Sequence, residues 1–292
     1  MNNSDFVLAY EQNPLIYDYV YKNGIFYKNN TGERQYHFPE IDLSKNKLDI
    51  INENIRDNSI IYFCMNEFES LLRILGKNFY KKYVLLADGG DGNIHHLDLP
   101  INILHVYCPN LPFYDDKYSP FPRGVLKNNY IKGNTNLNKD EILRSNKVYV
   151  NFTVYNYAPQ RIEDFNYWNS KSKLCNWVTV REANHLDNET YWRELYQHTY
   201  NISSSPSSFT DENKDRDTYR FWETLVAGAF PIIKRSPMSD FFANKLDLPV
   251  VLIDSWDEIT LDKLNQMIPI LSRKNLDAIK EQYWIKKLRS HF

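Results

Sequence analysis

The chain has 292 residues, 42% hydrophobic and 25% charged, with 35 basic and 37 acidic side chains and a formal net charge of -2. That is the composition of a globular protein large enough for one big domain or two smaller ones. It lacks the basic excess or stripe of a nucleic-acid binder and any apolar run of about 18 residues that could span a membrane.

Residues 1 to about 45 are rich in Tyr and Asn with scattered turn signals, and predict hairpin or irregular structure. The start "MNNSDFVLAY" has neither the basic nor the apolar region of a signal peptide. Cys64, Cys108 and Cys175 are too scattered for a disulfide framework or a metal clamp, so a cytoplasmic, reducing setting is expected. A rhythm of buried strands and helices then begins. "SIIYFC" (59–64), "YVLLAD" (83–88) and "INILHVYC" (101–108) read as strands, with a helix after the first and the loop "GGDGNIHH" after the second. Residues 109–140 read as long loops, "KVYVNFTVY" (147–155) as a strand, and "NYAPQRIEDFNYWNSK" as a linker. A second rhythm follows. "NWVTVRE" is a strand ending in Arg181, "NETYWRELYQHTYNI" a helix, and "AFPIIK" and "LPVVLID" are strands. A capped helix from "SWDEITLDKLNQMI" and a final amphipathic segment complete it.

The expected fold is therefore α/β, with domains at 1–160 and 161–275 and a last helix at 276–292 returning to the first. Two such halves imply a cleft, with ligands beyond the carboxyl ends of the strands.

The stretch from Asp217 to Pro237, "DTYRFWETLVAGAFPIIKRSP", predicts a helix from Asp217 to Ala227 with Asp217 as its cap and Gly228 ending it. Arg220 stands in the first turn, where the macrodipole disfavours a cation. With the free N–H groups it forms a receptor for phosphate, and Glu223 one turn on can accept from a vicinal diol. The alternative is a surface Arg–Glu pair of little consequence.

Residues 217–260 resemble the C-terminal domain of exostosin-like glycosyltransferases, whose helix carries Asp-x-x-Arg-x-Trp-Glu before a small-residue turn and a strand through Pro-Ile. The helix-turn-strand is also similar to the broader GT-B nucleotide-sugar signature. The resemblance implies a GT-B fold with two Rossmann-like domains facing across a cleft. Glu223 would hold the donor ribose, and Arg220 and Arg181 would face the diphosphate. Thr218, Ser205 and Ser207 would add contacts. Where the family often has a glycine-rich loop, this chain has "SPSSFTDENKDRD", without glycine.

The expected activity is sugar transfer from a nucleotide-diphosphate donor to a glycan hydroxyl, without a metal cofactor and with inversion. A UDP-sugar is favoured, UDP-xylose as the specific choice, in a viral or microbial setting. The base is sought in "ADGGDGNIHH", first Asp91 and then Asp88, although Asp-Gly is also ordinary turn chemistry. His95, Glu67 and Arg123 are further acceptor-side candidates. Two alternatives stay open: a metal-dependent GT-A-like enzyme using Asp215-Arg-Asp217, and a silent nucleotide-sugar or glycan-binding module.

Overall fold

The computed structural model describes residues 17–22, 25–28, 55–87, 94–154, 158–182, 186–205 and 217–292. The chain forms two compact units. Among the described residues, the first joins 17–122 to Glu281–Phe292, and the second is Arg123–Lys280. The division at 122/123 differs from the boundary near 160 that the sequence suggests, because the strand at 145–150 pairs within the second sheet.

The first unit is built on a six-stranded sheet in the order β2-β1-β3-β4-β5-β6. Its strands are β1 (Tyr19–Lys22), β2 (Ile25–Lys28), β3 (Ser59–Phe63), β4 (Tyr83–Ala87), β5 (Ile103–Cys108) and β6 (Tyr118–Pro120). β1 and β2 form an antiparallel hairpin, and every other neighbouring pair is parallel. β4 is buried along its whole length, as the unbroken apolar run "YVLLA" requires of an interior parallel strand. Helix α1 (Phe68–Leu75) turns Phe68, Leu71, Leu72 and Leu75 inward at helical spacing. The terminal helix Glu281–Arg289 lays the fully buried Trp284 edge-on to Phe121 and Tyr107, at 4.9 and 6.3 Å between ring centres. Its Arg289 donates two hydrogen bonds to Asp18, at 2.9 and 2.7 Å.

The second unit carries an all-parallel sheet in the order β11-β10-β9-β7-β8. Its strands are β7 (Ser145–Val150), β8 (Val178–Val180), β9 (His198–Ile202), β10 (Phe230–Lys234) and β11 (Val251–Ile253). Counted from its own first strand, this is the doubly wound order 2-1-3-4-5, which reverses direction between β7 and β9. Pro231 is tolerated in β10 because that residue pairs only with β9, and pairing to β11 starts at Ile232.

Helices α2 (Lys127–Asn134), α3 (Pro159–Leu174), α4 (Asn188–Gln197), α5 (Tyr219–Val226) and α6 (Pro237–Asp240) lie between strands, α7 (Leu261–Leu271) follows β11, and the terminal helix of the first unit is α8. α2 and α3 replace the loop and linker expected from sequence, and β9 replaces the last turn and a half of an expected helix. Among the described residues no helix is long and apolar enough to cross a membrane.

Gly133 of α2 is the point where this helix meets α4. A Cβ there would stand 2.0 Å from Trp192 Cδ1 and 2.6 Å from the Asn188 carbonyl oxygen. Alanine is the better helix former by about 1 kcal/mol, but forcing apart a fully buried tryptophan and a backbone costs about 1–3 kcal/mol. Gly133→Ala is therefore expected to lower the urea midpoint. A raised midpoint would mean that α2 can move off α4 freely.

Candidate functional site

In a sheet of this order the ligand crevice lies beyond the carboxyl ends of the two strands flanking the reversal. β7 runs out there into Asn151, Phe152 and Thr153, and β9 into Ser203 and Ser204. Buried Arg161 on α3 ties the two strand ends together. One of its nitrogens donates to the Thr153 carbonyl (3.0 Å) and the other to the Ser204 carbonyl (3.1 Å). One helical turn on, buried Asp164 accepts from Ser204 Oγ (2.8 Å), Lys234 Nζ (3.0 Å), Gln160 Nε2 (3.0 Å) and the Trp256 indole (2.5 Å). The ends of β7, β9 and β10 are thus held by an arginine and an aspartate fixed on one helix face.

α5 brings the predicted donor residues to this crevice. Its cap is Thr218, which accepts from the Phe221 N–H (3.3 Å) and bonds Ser203 Oγ (3.0 Å). The expectation that Asp217 caps the helix is corrected. Asp217 lies one residue earlier, buried, with Oδ2 accepting from the Arg123 N–H (2.7 Å) and the Trp222 indole (2.6 Å), and Oδ1 from the Thr218 N–H (2.8 Å). Burial pushes its pKa up to about 6 against the pull of those donors.

Arg220 offsets its unfavourable place in the first turn through two neighbours. Nη1 donates to Asn151 Oδ1 at 2.9 Å, and the guanidinium lies 4.3 Å from the Tyr191 ring centre. Glu223 follows one turn later and is 6% exposed, not on an open helix face. Among the described residues its carboxylate takes one hydrogen bond, 2.6 Å from the Tyr191 hydroxyl. Burial raises the Glu223 pKa, and the Arg220 charge and the Tyr191 bond pull it back. Tyr191 therefore joins the two predicted residues, with its ring under one and its hydroxyl on the other.

Beneath them lies a polar layer on the sheet. Tyr149 and Asn201 are register partners on β7 and β9, each at most 1% exposed. Among the described residues, neither side-chain polar atom of Asn201 has a hydrogen-bond partner, nor do the Tyr149 hydroxyl and Arg220 Nε. Buried polar atoms are seldom left so. Four such atoms lie on or over the neighbouring ends of β7 and β9.

The other predicted residues are distributed as follows. Arg181 follows β8, half exposed, 3.4 Å from Glu194. Ser205 follows Ser204 at the carboxyl end of β9 and is partly exposed. Ser207, Asp88, Asp91 and Asp215 lie outside the described residues. Arg123 belongs to the unit of α5, with its guanidinium 5.4 Å from the Tyr219 ring centre. Glu67 lies in the single 3-10 turn after β3.

His95 is exposed, and its neighbour His96 holds a carboxylate, Asp115, at 2.8 Å. Asp115 also accepts from the Lys117 and Tyr118 N–H groups where β6 begins. A hollow of 370 Å³ adjoins this pair, lined by residues 96–99 and 115–118. It sits at the amino end of the sheet, opposite the end that binds ligands in such folds. Among the described residues no group of three His, Cys, Asp or Glu gathers as a metal-ligand set.

Tyr191, Asn151, Tyr149, Asn201 and the Arg161–Asp164 clamp are absent from the sequence reading. A detectable signal existed for the clamp alone: Arg161, Asp164 and Trp168 recur at helical spacing and are buried together.

No protein-family model matches the chain, and no curated protein matches it. Solved structures similar to it include AviGT4, a glycosyltransferase involved in avilamycin A biosynthesis, with 10% identity, TM-score 0.35, and coverage of 83% of this chain and 81% of that one. The spinosyn rhamnosyltransferase SpnG is 8% identical, TM-score 0.36, over 80% of this chain and 68% of that one. An alpha-glucosyltransferase in complex with UDP-glucose and DNA containing an abasic site is 10% identical, TM-score 0.33, over 84% and 76%.

Proposed function

We propose that the protein is a GT-B-type glycosyltransferase, moving a sugar from a nucleoside diphosphate to a glycan hydroxyl. The observation that carries this reading is the Arg220–Tyr191–Glu223 arrangement at the carboxyl ends of β7 and β9. A guanidinium fixed from behind by an amide oxygen and an aromatic face is set to receive a diphosphate. A carboxylate one turn on, oriented by a phenol, is set to accept from the ribose diol. Arg181, on the neighbouring strand end, adds positive charge, and Ser205, just beyond β9, adds a further polar contact.

In this reading the second unit takes the donor and the first takes the acceptor. Asp91 is the first choice of base and Asp88 the second, the displacement inverts, and UDP-xylose is the specific donor. The leaving diphosphate is stabilised by Arg220 and Arg181 without a metal. Asp217 supports that last point, because its carboxylate is buried and already takes three hydrogen bonds. The direct experiment is a thermal-shift screen with UDP, GDP, CMP and their sugars. A ligand at 100 times its Kd adds about 2.7 kcal/mol of stability. A rise in Tm with one nucleotide and its sugars is expected, UDP first. No shift with any of them would sink the reading.

A further inference from the structure

The first unit carries a surface unlike the rest of its exterior. Three large apolar side chains project from two adjoining turns: Phe79 at 68% exposure, Tyr80 at 93% and Ile101 at 82%. The turn at 76–82 joins α1 to β4, and the turn at 100–102 leads into β5. They are fastened to each other. Asn102 Nδ2 donates to the carbonyls of Leu75 (2.9 Å) and Asn78 (2.7 Å), and the Tyr83 N–H donates to the Asn102 carbonyl (2.9 Å). Gly76 is pressed so close to Pro100 that a Cβ would lie 2.9 Å from its ring. The apolar tips are therefore displayed on a rigid base.

Basic side chains predominate along the first of these turns. From Arg73 to Ala87 the sequence holds Arg73, Lys77, Lys81 and Lys82 and no acidic residue. Arg73, Lys77 and Lys82 are exposed, whereas Lys81 donates to the Ile55 carbonyl at the base of the turn. The carboxylate Asp57 stands at the base beside Lys81, its Oδ1 accepting from the N–H groups of Asn58 (2.9 Å) and Lys82 (2.7 Å). Asp98 is exposed in the neighbouring segment.

Apolar tips buried in an interface, with an aromatic hydroxyl and flexible ammonium groups at headgroup level, are the requirements of attachment to an anionic bilayer surface. We infer that the paired turns 76–82 and 100–102 form a membrane-surface contact that takes anionic phospholipid. Charge complementarity selects this occupant, because the exposed Lys77 and Lys82 flank Phe79 and Tyr80 in the same turn. The patch is at the amino end of β4 and β5, so attachment leaves the carboxyl ends of this sheet facing away from the lipid. The inference stands independently of the glycosyltransferase reading.

The test is flotation of the full chain with phosphatidylcholine vesicles, with and without about a third of phosphatidylserine. The wild type is expected to float with the anionic vesicles at least about tenfold more than with the neutral ones, each cation near the surface strengthening attachment. Raising salt from about 0.1 to about 0.5 M should weaken it. Two variants separate the contributions: Lys77→Glu with Lys82→Glu, and Phe79→Ser with Tyr80→Ser and Ile101→Ser. Each should lower the bound fraction about tenfold while circular dichroism and Tm stay at wild-type values. The inference is overturned if the wild type floats with neither vesicle or equally with both, or if the variants float as it does. It is also overturned if the serine variant abolishes self-association in light scattering while vesicle binding is unchanged, which would make the patch a contact between copies.

Discussion

Arg220→Ala should lose the Tm shift given by a nucleoside diphosphate and weaken its binding about 10–100-fold, the equivalent of about 1.5–3 kcal/mol for a charge-assisted contact. The comparison that assigns the residue uses the nucleoside without phosphate. Arg220→Ala should bind uridine as the wild type does, whereas Glu223→Ala should weaken uridine and UDP together, because the ribose is common to both. Tyr191→Phe is a finer probe. It removes the hydroxyl on Glu223 but keeps the ring under Arg220. Losing that hydrogen bond raises the carboxyl pKa further, so nucleotide affinity in the variant should fall away at a higher pH on acidification than in the wild type. Calorimetry across pH 5 to 8 reads all three variants, with roughly a tenfold loss at most for Tyr191→Phe at neutral pH. Wild-type affinity for UDP in Arg220→Ala would make α5 purely structural.

The second large effect concerns stability. Asp217→Ala strands three buried donors, the N–H groups of Arg123 and Thr218 and the Trp222 indole. At about 1–3 kcal/mol for each stranded donor, a loss on the order of 3 kcal/mol or more is expected. Urea denaturation should show it as a lower midpoint, and a shift worth under about 1 kcal/mol would mean that water replaces the carboxylate at little cost. The pH dependence carries its own signature. The pKa of Asp217 is pushed up to about 6 in the fold, above the ordinary value near 3.8, because burial disfavours the charged form. The native state therefore holds this proton more tightly. Its contribution to stability is full below about pH 4 and is lost as pH rises through about 6, a change on the order of 2–3 kcal/mol. Asp217→Asn should flatten that part of the profile. An identical slope between pH 4 and 6 in both proteins would assign the dependence to other groups.

The alternation of strand and helix was legible wherever the apolar pattern was uninterrupted. β4 and β10 are unbroken runs, and α5 has a cap at one end and Gly228 at positive φ at the other. Two failures have definite causes. α3 reads as a polar linker because its inward positions are Arg161, Asp164 and Trp168, so the period of 3.6 is written partly in charged residues. β9 follows α4 without an intervening turn residue, so "HTYNI" reads as more helix although it is the central strand of its sheet. The same two errors hide much of the site. Arg161 and Asp164 fix the strand ends, and Asn201 lies on β9. Arg220 and Glu223 could be named from spacing and resemblance, but their link through Tyr191 is a tertiary contact of two helices with no local signal.

α8 has a consequence for the order in which the protein can be made. All the strands of the second unit lie between Arg123 and Lys280, so they are in place when Lys280 is synthesised. The first unit has to wait for Glu281–Phe292, since Trp284 covers Phe121 and Tyr107, and Arg289 closes on Asp18. During synthesis the half made first is therefore the half completed last. The exposed faces of Phe121 and Tyr107 make the nascent first unit the stage at which chaperones have most to do.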